Sequence, residues 1–160
     1  MGQLPDNALK VAAAARAIGL DISIQEMAAS TRTAEEAAAA CGVTVAQIVK
    51  SLVFLGAQTS LPYLLLVSGK NRVNEAAIAR EIGEALTRPD ASTVRALTGY
   101  AIGGIPPFGH QVQLKTYMDV DLMAHEIVWA AAGTPRTIFP VRPGDLQRCI
   151  GAPIIAVNQA

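Results

Sequence analysis

Two apolar segments constrain the fold of this chain more than any other feature of its sequence. The first, IVKSLVFL at residues 48–55, is rich in β-branched residues, and the second, YLLLVSG, begins at Tyr63. Both have the length of a strand, and both are too apolar to lie against solvent. Because only a short loop beginning GAQTS separates them, the sequence predicts two consecutive, mostly buried strands of a sheet.

Helices with clear ends are predicted around these strands. Thr33 and Glu36 have the spacing of a capping box and open a helix that ends at Gly42. Asn74 and Asp90 are of the residue types that cap a first turn, and each precedes a helical segment. The other predicted elements are helices at residues 7–18 and 143–151, strands at residues 20–27, 111–119 and 153–157, and a β-hairpin at residues 126–140 that turns at residues 133–135.

This order of elements mixes hairpins with helices, and the chain has no repeat, linker or low-complexity segment. It predicts an α/β fold of the α+β type, in which helices surround a mixed, largely antiparallel sheet or a partly closed barrel. A length of 160 residues is usual for one domain. We therefore expect a single domain over residues 1–160, with a surface helix in residues 1–20 and the core in residues 22–160.

The charge of the chain limits its classes of partner. Thirteen Lys and Arg residues balance thirteen Asp and Glu residues, so no net field attracts the protein to DNA or to an anionic membrane. Any contact with RNA is then local. The cluster of Lys70 and Arg72 fits a phosphate contact and a solvated loop equally well. The alanine-rich N-terminal segment is too short and too charged to span a membrane, which predicts a cytoplasmic protein.

Several common active sites have no signature in this sequence. There is no G-x-S-x-G motif, and SGKN lacks both the earlier glycine and the hydroxyl residue of a phosphate-binding loop. His110 and His125 do not have the spacing of metal ligands. Cys41 and Cys149 stand alone, so we expect buried free thiols and neither a metal nor another cofactor.

Lys50 interrupts an otherwise apolar strand. Burial of an ammonium without partners is costly, so its head group must reach water, an acidic partner or a ligand. It is either an edge-strand charge that discourages aggregation or a fixed charge at a pocket mouth, suited to a phosphate or a carbonyl oxygen. The adjacent Ser51 does not suggest a Ser/Lys nucleophilic pair, because consecutive side chains of a strand point to opposite faces.

The segment YAIGGIPPFGH at residues 100–110 holds three glycines and two prolines within seven consecutive residues. The glycines allow a positive φ and leave room for a ligand, while the prolines stiffen the segment and cannot donate. Its available donors are the backbone amides of Gly103, Gly104, Ile105, Phe108 and Gly109. Such a loop suits a small polar group or a developing oxyanion, although Gly/Pro clusters are more often plain turns.

Three segments occur in an order that is typical of one protein family. They are TRTAEEAAAACGVTVAQIVKSLVF, GYAIGGIPPFGH and VWAAAGTP. Together they resemble the YbaK/ProX family of freestanding aminoacyl-tRNA editing domains, which are related to the editing insertion of bacterial prolyl-tRNA synthetase. The resemblance runs from about residue 22 to the C-terminus. It implies a mixed sheet or barrel wrapped by helices, in agreement with the elements predicted above.

The resemblance also implies an activity and a site. The family hydrolyses the ester between a wrong amino acid and the terminal adenosine of tRNA, without a metal or a nucleophilic side chain. Its active-site lysine, in a VK[ST]L strand, corresponds to Lys50, and its G-x-x-x-P loop to Gly103 through Pro107. Lys50 would hold the terminal phosphate or the ester carbonyl. Backbone amides of Gly103 and Gly104 would stabilise the tetrahedral oxyanion while a positioned water attacks.

The substrate contacts implied in this way extend beyond those residues. They are Thr31, Ile105, Pro106, Pro107, Phe108, Gly109, His110 and Arg136. Some relatives have a histidine near the position of Arg136, so their substrate preference does not transfer directly. His110 is either a polar contributor or, as we favour, a histidine bonded to neighbouring backbone. The implied partner is the CCA end of a tRNA carrying a small amino acid, and a synthetase partner that selects the tRNA is left open.

Three functions remain compatible with the sequence. The first is a trans-editing deacylase that removes a small amino acid such as Ala, Ser, Thr, Cys or a non-protein analogue. The second is a non-catalytic module that binds aminoacyl-tRNA or an aminoacyl nucleotide together with a synthetase, and the third is an esterase that needs no RNA. The presence of both Lys50 and the loop favours the deacylase. The edited amino acid depends on pocket volume, which the sequence does not give.

Overall fold

A computed structural model describes residues 3–158 of the chain. Its helices are α1 (Asp6–Ala17), α2 (Ala34–Cys41), α3 (Glu75–Ile82), α4 (Ala91–Thr98) and α5 (Pro143–Ile150), with short 3₁₀ turns at Val45–Gln47 and Val120–Ala124. Its strands are β1 (Gln25–Glu26), β2 (Val49–Gly56), β3 (Pro62–Ser68), β4 (Leu86–Thr87), β5 (Lys115–Asp119), β6 (Val128–Ala131), β7 (Thr137–Val141) and β8 (Ile154–Ile155).

The strands form two sheets that meet at one edge. In the larger sheet, of order β4-β2-β3-β5-β8, β2 is antiparallel to β3 and β4, whereas β5 is parallel to β3 and β8. The smaller sheet, of order β1-β7-β6, is antiparallel throughout. A parallel β-bridge between Ile48 and Trp129 connects the two sheets. The predicted fold, a mixed and partly closed barrel with helices around it, is confirmed.

The helices begin where the sequence predicts because their caps are local. The Thr33 hydroxyl accepts a hydrogen bond from the Glu36 amide at 3.1 Å, and the Glu36 carboxylate accepts one from the Thr33 amide at 3.2 Å. Gly42 ends this helix with a φ of 69°. The side chains of Asn74 and Asp90 cap α3 and α4 in the same manner.

Three predicted strands are shorter than expected, and the last of them, predicted at residues 153–157, is a strand only at Ile154–Ile155. Residues 20–27 form a strand only at Gln25–Glu26, since the ladder with β7 has just these two pairs. Of residues 111–119, only Lys115–Asp119 are extended in the sheet. The amides of Gln111 and Val112 instead donate to carbonyls at the end of α4, at 3.0 Å each, which holds this part of the chain away from β3.

The faces of β2 belong to different parts of the core. Val49 and Val53 pack into a large cluster between the two sheets, and Phe54 packs into a second cluster under α3. The predicted N-terminal helix is confirmed as α1, but it is more than a surface helix, because Val11 and Ala15 are fully buried in the large cluster. This burial fixes α1 against the body of the fold.

The cysteines differ in part from the prediction. Cys41 and Cys149 are free, as expected, but both are only partly buried. Each lies in the last turn of a helix, where the helix meets solvent. In the described part of the chain, no helix is both long and apolar enough to cross a membrane.

Candidate active site

A cleft of about 320 Å³ opens beside the first residues of β2, where the two sheets meet. This volume is at the low end of the range of small-ligand pockets, about 300 to 1,000 Å³. One wall is β2, and the others are β6, the start of α2 and the loop at residues 102–105. Side chains that line the cleft include Thr31, Arg32, Thr33, Glu35, Ile48, Lys50, Ser51, Leu52, Ile102, Ile105, Trp129 and Ile138.

The cleft brings together only part of the predicted site. Thr31, Lys50, Gly103 and Ile105 line it. Four other predicted residues are buried and do not line it: Gly104, Pro106, Pro107 and Phe108. The remaining three, Gly109, His110 and Arg136, do not line it.

Lys50 is half-buried at the mouth of this cleft. Its Nζ donates a hydrogen bond to the carbonyl oxygen of Asn71, and it forms no salt bridge within residues 3–158. Burial lowers the pKa of Lys50; the charge of Glu35 opposes this effect and that of Arg72 adds to it. An ammonium with one protein acceptor retains N–H donors for a ligand.

Asn71 holds the acceptor of Lys50 in place. Its side-chain Nδ2 donates to carboxylate oxygens of Asp119 and Asp121, each at 2.8 Å, and its Oδ1 accepts from Asn158 at 3.1 Å. Asn71 and Asp119 are both buried. Asn71 could not be identified from the sequence as a site residue, because SGKN resembles only an incomplete phosphate-binding motif and the two aspartates lie far along the chain.

The loop at residues 102–105 has one amide fewer than the sequence suggested. The Gly104 amide donates to the carbonyl of Ala101 at 3.0 Å, so it is already engaged within the protein, and its role as an oxyanion donor stays a prediction. The amides of Gly103 and Ile105 form no hydrogen bond within residues 3–158. Gly103 has a φ of 95°, and a Cβ there would lie 2.3 Å from Cγ of Arg32, so only glycine fits. Gly103 and Ile105 therefore both have amides free to donate at the cleft.

Close packing accounts for the other glycines of the loop. A Cβ on Gly109 would lie 2.6 Å from Cβ of Ala14 in α1, and one on Gly104 would lie 3.0 Å from the amide of Thr134. The Gly104 carbonyl also accepts a hydrogen bond from the Gly133 amide at 2.9 Å. The loop is thus clamped between α1 and the β6–β7 turn, which gives a rigid wall to the cleft.

The polar residues around this loop are largely engaged with backbone. The Thr31 hydroxyl donates to the carbonyl of Pro135 at 3.1 Å. Nε2 of His110 lies 2.7 Å from the Pro106 carbonyl, and burial lowers the pKa of His110 while this contact opposes the shift. His110 is therefore bonded to neighbouring backbone, as favoured from the sequence. Arg136 donates to the carbonyl of Ala28 at 3.1 Å on the surface.

Several residues of the cleft were missed by the sequence analysis. Ile48, Leu52, Trp129 and Ile138 form much of its apolar lining, and Ser51 adds a hydroxyl. Trp129 reaches the cleft through the bridge between β6 and the residue preceding β2. Local sequence carries no signal for a contact between segments so far apart, although the position of Ser51 next to Lys50 was visible.

The chain is similar to known proteins in both sequence and fold. The chain matches the family model of the aminoacyl-tRNA editing domain over residues 28–149. A crystal structure of a candidate trans-editing enzyme for prolyl-tRNA synthetase is 44% identical, with a TM-score of 0.92 and coverage of 99% of this chain and 100% of that one. The crystal structure of the hypothetical protein APE2540 is 29% identical, with a TM-score of 0.87 and coverage of 94% and 99%. The uncharacterised protein YwhH of Bacillus subtilis is 28% identical over 123 residues, 77% of this chain and 78% of that protein.

Proposed function

Because this chain belongs to the aminoacyl-tRNA editing domain family, we propose that it is a deacylase that hydrolyses mischarged aminoacyl-tRNA in trans. The match to the family model over residues 28–149 establishes the family membership that was inferred from three sequence segments. The finer claims concern the reaction, the small size of the amino acid and the CCA end as the part of tRNA that enters the cleft.

The observation that carries this proposal is the meeting of Lys50 and Gly103 in one small cleft. An ester bound there would have an ammonium on one side and an unpaired backbone amide on the other. Donors that are already fixed and aimed at developing negative charge are among the largest contributions to catalysis of acyl transfer. The clamped loop supplies such a donor without the cost of ordering it.

The chemistry needs no nucleophilic side chain. A water molecule adds to the ester carbonyl carbon, the carbon–oxygen bond to the ribose breaks, and a proton from the water ends on the ribose oxygen. The Gly103 amide stabilises the tetrahedral oxyanion, and Lys50 holds the terminal phosphate or the ester carbonyl. Ser51 Oγ has no hydrogen-bond partner within residues 3–158, so no neighbouring base prepares it as a nucleophile.

The size and charge of the cleft fit the acceptor end of a charged tRNA. A volume of about 320 Å³ and an apolar wall of Leu52, Trp129 and Ile138 are compatible with a small amino acid side chain. The exposed Arg32 lines the cleft, and the exposed Arg72 is close enough for its charge to act on Lys50, so both could meet the phosphates that precede the terminal adenosine. Local charge of this kind is compatible with a chain of zero net charge.

Deacylation of a panel of charged tRNAs tests the proposal. tRNAs carrying Ala, Ser, Thr, Cys and Pro are incubated with catalytic amounts of the protein, and free amino acid is measured over many turnovers. A deacylase releases at least one amino acid, whereas a binding module protects the ester in proportion to the protein added. Equal hydrolysis of a simple amino acid ester without RNA would instead favour the general esterase.

A further inference from the structure

Asp119, at the end of β5, is a fully buried carboxylate close to the cleft residue Lys50. Its oxygens accept hydrogen bonds from the amides of Ser68 and Asp121 at 3.0 and 2.9 Å, and from Nδ2 of Asn71 at 2.8 Å. It forms no salt bridge within residues 3–158. The donors hold the carboxylate in one orientation but do not neutralise its charge, and burial of a charge is costly unless it is paired.

The register of the larger sheet places Lys50 and Asp119 on either side of Val67. Lys50 pairs with Val67 in the antiparallel ladder of β2 and β3. In the parallel ladder of β3 and β5, Leu66 pairs with Met118, so Asp119 is level with Val67. Paired residues of neighbouring strands project from the same face of a sheet, and each strand spacing is about 4.8 Å. The two charged residues therefore share a face, with their backbones about 10 Å apart.

A short hydrogen-bonded route joins the two side chains across this distance. Nδ2 of Asn71 donates to the Asp119 carboxylate, and the carbonyl oxygen of the same residue accepts from Nζ of Lys50. The buried carboxylate thus holds the residue that supplies the acceptor of the ammonium. Its position affects where Lys50 lies in the cleft, although Asp119 itself does not line the cleft.

Asp119 differs from the other charged groups that act on Lys50. Burial is the main influence on the pKa of Lys50 and lowers it; the charges of Glu35 and Asp119 oppose this effect, and that of Arg72 adds to it. Glu35, at the start of α2, and Arg72, in the loop after β3, are exposed, have opposite charges and are screened by salt. The buried charge of Asp119 is screened much less.

We propose that Asp119 is a positioning residue of the active site, whose buried carboxylate fixes the acceptor of Lys50 and keeps the ammonium charged as the pH rises. This inference rests on the proposed deacylase function, in which Lys50 holds the terminal phosphate or the ester carbonyl. The role differs from that of Asn71, which supplies the acceptor but carries no charge. Asp119 acts on the substrate only through Lys50.

The variant Asp119→Asn tests this role, because it keeps the shape of the side chain and one acceptor oxygen but removes the charge. Loss of the Lys50 ammonium slows turnover at high pH, and this decline should begin about one pH unit lower than in wild type. Over the range in which the ester survives, the fall should grow from about two- to threefold to about tenfold. The NMR chemical shift of Lys50 Cε, followed against pH, reads the same change without the reaction.

Asp121→Asn is the matched control. Oδ2 of Asp121 accepts from the same Asn71 Nδ2 at 2.8 Å, but its carboxylate is partly exposed and lies 3.9 Å from Nζ of Lys70. Its replacement should leave the alkaline decline where it is in wild type. A second control uses Lys50→Arg, whose guanidinium stays charged. Addition of Asp119→Asn to that variant should produce no alkaline decline.

Three results would overturn the inference. If Asp119→Asn lowers Tm but leaves the pH profile and the NMR titration unchanged, the carboxylate is only structural. An equal shift in Asp121→Asn would assign the effect to the hydrogen bonding of Asn71, and a decline in the double variant would assign it to another group. Asp119→Ser, which is smaller and uncharged but still accepts, is used if Asp119→Asn does not fold.

Failure of the proposed function gives a different result. Wild type would then hydrolyse none of the aminoacyl esters at any pH. The NMR titration of Lys50 in wild type and in Asp119→Asn would still show whether the two charges are coupled. An unchanged titration would overturn the inference, and a shift of about one pH unit would support it without reference to deacylation.

Discussion

The polar groups at the two ends of strand β2 differ in how many hydrogen bonds they form within the protein. At the Gly56 end, the buried carboxylate of Glu84 accepts hydrogen bonds from the amides of Gln58 and Thr59 at 3.0 and 3.1 Å, and from the hydroxyls of Thr59 and Tyr63 at 2.7 and 2.8 Å. At the cleft end, Lys50 donates to one backbone carbonyl and Ser51 has no partner within residues 3–158.

This contrast indicates that the Gly56 end of β2 contributes to stability and that the cleft end serves the proposed function. The donors around Glu84, the Thr59 hydroxyl foremost, lower its pKa to about 2 against the opposing effect of burial, which means that the folded state strongly favours the charged form. The β2–β3 turn is thereby fixed, and Gly56 leaves room for the carboxylate, which a Cβ would approach to 2.4 Å. Unfilled hydrogen-bonding capacity at the other end is what a substrate can use.

The largest effect is expected from a change in the loop that faces the cleft end. Gly103→Ala forces a Cβ against Arg32 and shifts the amide proposed as oxyanion donor, so turnover should fall by about 100-fold. Gly151→Ala is the control, because Gly151 also has a positive φ, of 66°, but has open space around its Cβ position. Steady-state deacylation and thermal unfolding of both variants check this; equal turnover in the two would remove the loop from the mechanism.

A change at Asn71 should lower both the stability and the activity of the protein. Asn71→Ala leaves the buried Asp119 with fewer donors and frees the chain that carries the acceptor of Lys50. We expect a loss of about 2 kcal/mol, or about 4 to 8 °C in Tm, together with a fall of about tenfold in turnover. Asn158→Ala removes a single bond to Asn71 and serves as the milder control. A loss of Tm alone would show that Asn71 does not position Lys50.

Changes at Glu84 should affect stability only. Its folded pKa of about 2 lies below the usual 4.5, so its contribution is complete above about pH 4.5 and is lost as the pH falls towards 2. Glu84→Gln should lower Tm at neutral pH, weaken the acid dependence of stability in that interval and leave turnover well below Tm unchanged. Thermal unfolding against pH and a deacylation assay measure these effects. A fall in turnover without a fall in Tm would contradict the division of β2.

The smallest expected effect is a pH dependence of the deacylation rate. The lowered pKa of Lys50 means that its ammonium is lost at a pH below the ordinary 10.5, so catalysis should decline as the pH rises through that folded-state pKa. Over the range in which the ester survives, we expect a change of only about two- to threefold. In Lys50→Arg the charge persists, so the alkaline decline should disappear even though turnover is lower. The same decline in both proteins would assign it to another group.

The sequence predicted the structural features that depend on residues close together in the chain. The capping box of Thr33, the hairpin of β2 and β3 and the positive φ of Gly103 are encoded within a few residues. The length of β1 depends on its pairing with β7, which forms only in the folded chain. The bond from the Gly104 amide to Ala101 is a local turn that the glycines and prolines permit but do not specify.

The candidate site divides in the same way. Lys50 could be predicted because a lysine is unusual in an apolar strand. Gly103 could be predicted because its loop has an excess of glycines. Asn71 and Trp129 become part of the site only through long-range pairing with Asp119 and with the start of β2. The missing partner of Ser51 is a property of the packed interior, so no sequence pattern could reveal it.

The most direct test of the division between the two ends of β2 is the variant Lys50→Ala. Its turnover on the best tRNA substrate and its Tm are measured on the same preparation. Removal of a desolvated ammonium costs the fold little, so Tm should stay within about 2 °C of wild type or rise. Turnover should fall by about 100-fold or more. Retained turnover with a lowered Tm or with aggregation would show that Lys50 protects an edge strand, and would contradict the account.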